Sequence, residues 1–217
     1  CLNCPNIDDR CLAHLAANNP DLTHVALGNP SLSDRALQTF ISHLNGHVRS
    51  LNLAGSTQAG TLTLNQLFAS QLPLESLNLS GCFNLNGDAI INDLHPMFHA
   101  SLFRWLNELL YLNLAGCVKC STMFLSVCLA NAPLLQTIIL DDTSIADDAL
   151  LTFTQTSISL QQQKARSLHI PGARVSPLSV SLKRCPHLSD VGFTALFQNR
   201  GADITSLNVA FSPTLSS

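Results

Sequence analysis

Eight cysteines and eight histidines are the residues of this chain best suited to bind a metal or act as nucleophiles. Cys1/Cys4 and Cys117/Cys120 each form a Cys-x-x-Cys pair. Two such pairs make a four-thiolate zinc site when they converge. Here the first pair opens the chain and the second lies at its middle. His43/His47 and His95/His99 have the i, i+4 spacing of two metal ligands on one helical face. Neither has the nearby carboxylate of a metalloprotease site, and Pro96 disturbs the second pair. There is no Ser/His/Asp set, no P-loop and no Gly-rich phosphate loop. The cysteines are therefore read as small, slightly polar core side chains, and the histidines as solvated or capping groups. No metal, no cofactor and no enzyme activity are expected.

The elements that would position any site follow a repeat. Leu22-Thr-His-Val25-Ala-Leu27 returns as Val48-Arg-Ser-Leu51-Asn-Leu53 and Leu74-Glu-Ser-Leu77-Asn-Leu79. It continues as Leu109-Leu-Tyr-Leu112-Asn-Leu114 and Leu135-Gln-Thr-Ile138-Ile-Leu140. The last apolar residues fall at 27, 53, 79, 114 and 140, with intervals of 26, 26, 35 and 26. A fixed period in this range marks a solenoid, whose coils touch only their neighbours. The alternating end of each motif suits a short strand with one buried face. Three residues after it comes a Cys or another small residue: Cys4, Pro30, Ser56, Cys82, Cys117, Thr143 and Ser212. Polar caps follow at Asp8-Asp9, Ser33-Asp34, Asp147-Asp148 and Ser189-Asp190. Their oxygens accept from the first orphan amides of a helix, and their charge suits its positive end.

Two places depart from the period. About nine extra residues fall within 92–106, a longer helix or a bulged loop carrying Trp105. Trp105 either anchors a partner or covers the outer helices. In 154–184, both Ala165–Ile170 and Val180–Leu182 read as strand, and the second restores the period. This leaves 155–176 as an insertion or a poorly folded stretch. The whole of 1–217 is read as one repeat domain, a fragment of a longer solenoid that begins inside one strand and stops soon after opening another.

The bulk numbers narrow the function classes. Charged residues are 12% of the chain and apolar residues 46%, enough for a core and against disorder. The net charge is −3, without a basic patch, so nucleic acid is not expected as a partner. No apolar run approaches the roughly 18 residues that span a bilayer, so no membrane partner is expected. Free thiols fit a reducing compartment and an intracellular location, cytoplasmic or nuclear.

Cys4-Pro-Asn-Ile7-Asp8-Asp9, Cys185-Pro-His-Leu188-Ser189-Asp190, Leu77-Asn-Leu79-Ser-Gly-Cys82 and Leu112-Asn-Leu114-Ala-Gly-Cys117 carry a family pattern. The chain resembles the cysteine-containing leucine-rich repeats over nearly its whole length. The resemblance implies an α/β leucine-rich-repeat solenoid: a right-handed β-α superhelix with a parallel sheet on the concave face and helices on the convex face. It also implies the substrate-binding half of F-box/leucine-rich-repeat proteins, or of the related mitotic-exit antagonists. In that family an F-box outside the repeats docks on the adaptor of an SCF ubiquitin ligase. No F-box occurs in these residues. The other readings are a generic interaction scaffold, including a microbial effector, and an enzyme whose catalytic domain lies elsewhere.

In such strands the positions flanking the last two apolar residues face out of the core. They place His24, Asn52, Asn78, Tyr111, Asn113, Ile139, Asp141 and Asn208 on the concave face as candidate contacts for a protein. Asn52, Asn78 and Asn113 form a stripe. They are either a hydrogen-bonding floor for a partner, or a ladder whose amides bond one another along the sheet. Tyr111, Ile139 and Asp141 are the more distinctive contacts, because aromatics dominate binding hot spots.

Overall fold

The computed structural model describes residues 7–92, 103–167 and 176–211, with only the backbone at 13, 16, 89, 92 and 160–167. Cys1, Cys4, His95, Phe98, His99, residues 168–170 of the alternative strand and Ser212 lie outside this set. Seven strands form one parallel sheet in chain order: β1 His24–Ala26, β2 Ser50–Asn52, β3 Ser76–Asn78, β4 Tyr111–Asn113, β5 Thr137–Ile139, β6 Leu178–Ser181 and β7 Ile204–Asn208. The helices between them are α1 Asp9–Asn18, α2 Asp34–Ser42, α3 Thr61–Ser70, α4 Asp88–Asn92, α5 Thr122–Ala130, α6 Asp147–Ser167 and α7 Asp190–Arg200. A 3-10 helix, Arg104–Glu108, precedes β4.

Register follows the leucine pattern. Val25, Leu51, Leu77, Leu112, Ile138, Val180 and Leu207 are paired in line across the seven strands. With the last strand leucines they bury one face of the sheet against the helices. Strands sit about 4.8 Å apart, whereas packed helices need about 8–10 Å. The stack must therefore curve with the sheet inside and the helices outside. This is the leucine-rich-repeat solenoid.

Two sets of bonds tie turns of the solenoid to their neighbours. In the first, the side chain three residues past the strand donates to the last strand carbonyl of the preceding repeat. Cys82, Cys117 and Cys185 Sγ reach Leu53, Leu79 and Leu140 O at 3.3, 3.2 and 3.2 Å. Ser56 does the same to Leu27 O at 3.5 Å. At these four positions the side chain is compact, buried and able to donate, which a thiol or small hydroxyl satisfies; Pro30 has no donor, and Thr143 turns its hydroxyl to Leu140 O of its own turn at 2.6 Å.

In the second set, the Ser-Asp motif divides its labour. Ser33, Ser121 and Ser189 cap their own helices by accepting from Ala36, Phe124 and Val191 N. Asp9, Asp34, Asp88 and Asp147 reach forward instead. Asp9 accepts from Ser33 N and Oγ at 3.0 and 2.6 Å. Asp147 accepts from Ser189 N and Oγ at 2.8 and 2.5 Å. Asp88 accepts from Ser121 Oγ. Asp34 serves α3, whose cap is Gly60 with no side chain to offer. It accepts from Gly60, Leu62 and Thr63 N at 2.8, 3.1 and 2.9 Å, and from Thr63 Oγ1 at 2.6 Å.

The departures from the period are built in. Residues 155–167, expected as an insertion, continue α6, so 165–167 are helix and the strand is Leu178–Ser181. Arg200, 1% exposed, packs beneath this stretch. It donates to Ser157 Oγ, Asp203 Oδ2 and Ser176 O at 3.0, 3.1 and 3.1 Å. Trp105 is buried and meets Phe68 edge-on at 5.3 Å. It covers the helical layer and is no surface anchor.

Candidate functional site

The inner face presents three outward rows, each set by strand register. The first runs His24, Ser50, Ser76, Tyr111, Thr137, Ser179 and Ser206. The second runs Ala26, Asn52, Asn78, Asn113, Ile139, Ser181 and Asn208. The third lies just past the strands, where Ala54, Ser80 and Ala115 give way to Asp141 and Lys183. Tyr111 stands on the middle strand of seven, with Ser76 and Thr137 as its lateral partners. It is a large partly exposed ring in a floor of small neutral side chains.

Asn52, Asn78, Asn113 and Ile139 are contiguous along the second row. Asn208 is separated from them by Ser181 and is exposed on edge strand β7. His24 is exposed on the other edge, its ring Nδ1 paired with Thr23 Oγ1 at 2.9 Å. The expected alternative of an amide ladder does not form. Each Asn turns Oδ1 to its own backbone: Ala54, Ser80 and Ala115 N donate to Asn52, Asn78 and Asn113 at 2.9, 3.0 and 3.0 Å. Ala210 N and Asn208 repeat this at 3.4 Å.

Asp141 is spoken for within the chain. Its Oδ1 accepts from Ser181 Oγ at 2.7 Å and Lys183 N at 2.9 Å, and its Oδ2 meets Lys183 Nζ at 3.1 Å. Beside it, the Arg184 guanidinium makes two 2.5 Å contacts with Asp142 and holds that carboxyl below its usual range. Sequence reasoning missed Lys183 and Arg184. The signal was there: they occupy the same offsets past β6 as Asp141 and Asp142 past β5. Asp142, Arg184 and Phe211 also adopt φ of 58, 52 and 62°, in the turn position that Gly55, Gly81 and Gly116 fill in earlier repeats. Non-glycine residues in this left-handed region carry a strain of order 1 kcal/mol or more.

Among the described residues, no three Cys, His, Asp or Glu side chains gather as a metal site. The buried thiols of Cys82, Cys117, Cys120 and Cys185 serve as hydrogen-bond donors to backbone carbonyls. Burial pushes Cys82 up to about 12 and raises Cys128 and Cys185. The neighbouring Cys120 thiol, then burial, raises Cys117. Since thiolate is the reactive form, Cys82, Cys117, Cys128 and Cys185 will resist a disulfide reagent at mildly alkaline pH until urea unfolds the chain. Exposed Cys11 will react at once. Mass mapping of the labelled cysteines checks this, and rapid native labelling of Cys117 would contradict it.

A separate cleft of about 580 Å3 lies at the entrance to β3 and β4, lined by Gln71, Pro73, Arg104, Trp105, Asn107 and Glu108. Among the described residues, no helix is long and apolar enough to cross a membrane.

No protein-family model and no curated protein sequence matches this chain. Among solved structures it is similar to a chain in the crystal structure of the Rad7 and Elc1 complex in yeast. The TM-score is 0.67 at 16% identity, over 98% of this chain and 49% of that one. The likeness is one of fold, and this chain spans about half the length of its match.

Proposed function

We propose that this chain is a protein-binding module of the cysteine-containing leucine-rich-repeat kind, serving as the substrate-recognition repeats of an SCF-type ubiquitin ligase. The observation that carries the binding reading is the inner face itself. It is one unbroken seven-stranded floor with Tyr111 at its centre and small neutral side chains around it. A surface of this shape holds a macromolecule by area; it does not enclose a small substrate for catalysis. Tyr111 and Ile139 are the central contacts, Asn52, Asn78 and Asn113 border them, and His24 and Asn208 mark the ends. Asp141 stiffens the rim from its clamp with Lys183.

The ligase role draws on two supports. Cys82, Cys117 and Cys185 all perform the same inter-repeat bond, which accounts physically for the cysteine-containing pattern. The structurally similar chain comes from a two-protein complex, Rad7 with Elc1. An F-box that docks on the ligase adaptor belongs outside these residues.

The test is affinity purification of the intact protein with the proteasome inhibited, read by mass spectrometry, beside a Tyr111→Ala variant. The expected result is a cullin and its adaptor recovered by both proteins, with ubiquitylated substrates lost from the variant by roughly tenfold or more, as for a hot spot of about 2 kcal/mol. Absence of the cullin with other partners present would leave a plain scaffold. Undiminished substrate recovery by a folded Tyr111→Ala protein would move binding off the concave floor.

A further inference from the structure

The asparagines of the floor are held so that each shows a partner only its donor side. A backbone N–H donates and cannot accept, so the amide oxygen that meets it is fixed and the NH2 group must point away. This holds at Asn52 against Ala54 N, at Asn78 against Ser80 N and at Asn113 against Ala115 N. The result is a row of NH2 groups, one per strand from β2 to β4, spaced by about 4.8 Å. Among the described residues, the Nδ2 of Asn52 and that of Asn78 meet no acceptor. Asn113 Nδ2 donates to the Tyr111 hydroxyl at 3.4 Å, which leaves that hydroxyl's own proton free to donate outward.

No anion on the floor competes for these donors, and no cation supplements them. The outward strand positions of β1 to β4 carry no Asp, Glu, Lys or Arg. Asp141 is filled by Ser181 and Lys183, and Lys183 is thereby occupied as well. Where the amide row ends, Ile139 offers an apolar spot on the strand beside Tyr111. Tyr111 pairs with Thr137 and Asn113 with Ile139, so Tyr111 and Ile139 are diagonal neighbours, within reach of an aromatic ring.

We infer that the floor over β2–β5 binds an extended, uncharged segment of a protein partner. Its oxygen acceptors, main-chain carbonyls and Asn, Gln, Ser or Thr side chains, rest on Asn52, Asn78 and the Tyr111 hydroxyl. One apolar side chain sits between Tyr111 and Ile139. An acidic segment is disfavoured because its carboxylates would lose water with no cation to offset the cost. A basic segment would set its own donors against a row of donors. The inference rests on the proposed concave docking face and adds the chemistry of what docks there.

The probe is a random linear peptide library displayed on phage, selected against the full chain. Enriched peptides are then measured by fluorescence anisotropy against three proteins: wild type, Tyr111→Ala, and Asn52→Asp/Asn78→Asp. The double variant is nearly isosteric. Each Asp keeps an oxygen for the backbone N–H, so the turns and the melting temperature hold, while the outward donors at 52 and 78 become acceptors. The expected result is enrichment of uncharged peptides with one apolar residue. Their affinity should change by no more than about twofold between about 0.05 and about 0.5 M NaCl. It should fall by roughly tenfold or more in the double Asp variant, the scale of one lost hydrogen bond with its acceptor stranded. Charged peptides with steep salt dependence would overturn the inference, as would failure to enrich any. Equal binding to wild type and to the double Asp variant, with loss in Tyr111→Ala, would overturn the donor row but keep the docking face. Equal binding to all three would sink both.

Discussion

Replacing Arg200 with Ala will cost the fold about 3–5 kcal/mol, the range for breaking a buried ion pair from one side. Arg200 is, among the described residues, the largest fully buried side chain, and its guanidinium meets α6, the segment before β6 and the 3-10 turn Gly201–Asp203 before β7. Burial lowers its pKa from the usual arginine value while Asp203 opposes the shift. Its guanidinium carbon stands over the Phe153 ring, 6.0 Å from the centroid. Truncation strands Asp203 and the Ser176 carbonyl and opens a cavity beneath α6 at Phe153 and Ser157. Arg200→Lys keeps the charge, but one ammonium cannot span three acceptors in a plane, so it should recover only part of the loss. Arg200→Met fills the volume without a charge and should fall between wild type and Ala. Urea unfolding gives the order, and hydrogen exchange should show α6 beyond Ser157 losing protection first. A loss under about 1 kcal/mol for Arg200→Ala would contradict this account.

Gly87→Ala is the second large effect. A methyl there would stand 2.2–2.5 Å from three ring carbons of Phe124. Phe124 is 2% exposed and has no room to retreat. Its ring faces Phe68 at 6.0 Å, and Phe68 in turn is held by Phe103 at 4.9 Å and Trp105 at 5.3 Å. Overpacking of this kind costs about 1–3 kcal/mol, and more where the neighbours are locked. A double-mutant cycle separates this clash from any effect on the backbone. Phe124→Leu alone should destabilise by leaving space. Combined with Gly87→Ala it should destabilise far less than the two losses together, with a coupling of about 2 kcal/mol. Additive losses would show that Gly87 is needed for its backbone and not for the ring beside it.

What could be read from the sequence was whatever repeats locally. The leucine period gave strand order and register because a slip by one residue would turn every buried side chain outward. Ser33 and Ser189 were legible as caps because a cap bonds within its own turn. Asp9, Asp34 and Asp147 were not legible as ties, since their acceptors serve a helix that follows 24 to 42 residues later. Residues 155–167 carry Thr, Ser and Gln with little apolar periodicity, so nothing local marked them as helix. At the site, the outward positions followed from alternation, but which end of each amide faced out did not. That depended on a backbone N–H placed by the turn. Arg200 gave no sign of burial, because its three acceptors come from three separate segments.

The forward-reaching carboxylates also set how this arc bends. They tie α1 to α2, α2 to α3, α4 to α5 and α6 to α7. Between α5 and α6, Thr122 replaces the carboxylate and sends its hydroxyl to Ser144 O at 2.6 Å. Between α3 and α4, among the described residues, no such tie is present. The solenoid is thus a row of springs of unequal kind: carboxylate ties at four joints, hydroxyl ties between α5 and α6, and aromatic packing of Phe68 on Phe103 and Trp105 ahead of the strand that bears Tyr111. Under load the directional carboxylate ties should resist a change of angle between their helices more than the aromatic contacts do, so the grip on whatever lies across the floor is set joint by joint along the arc.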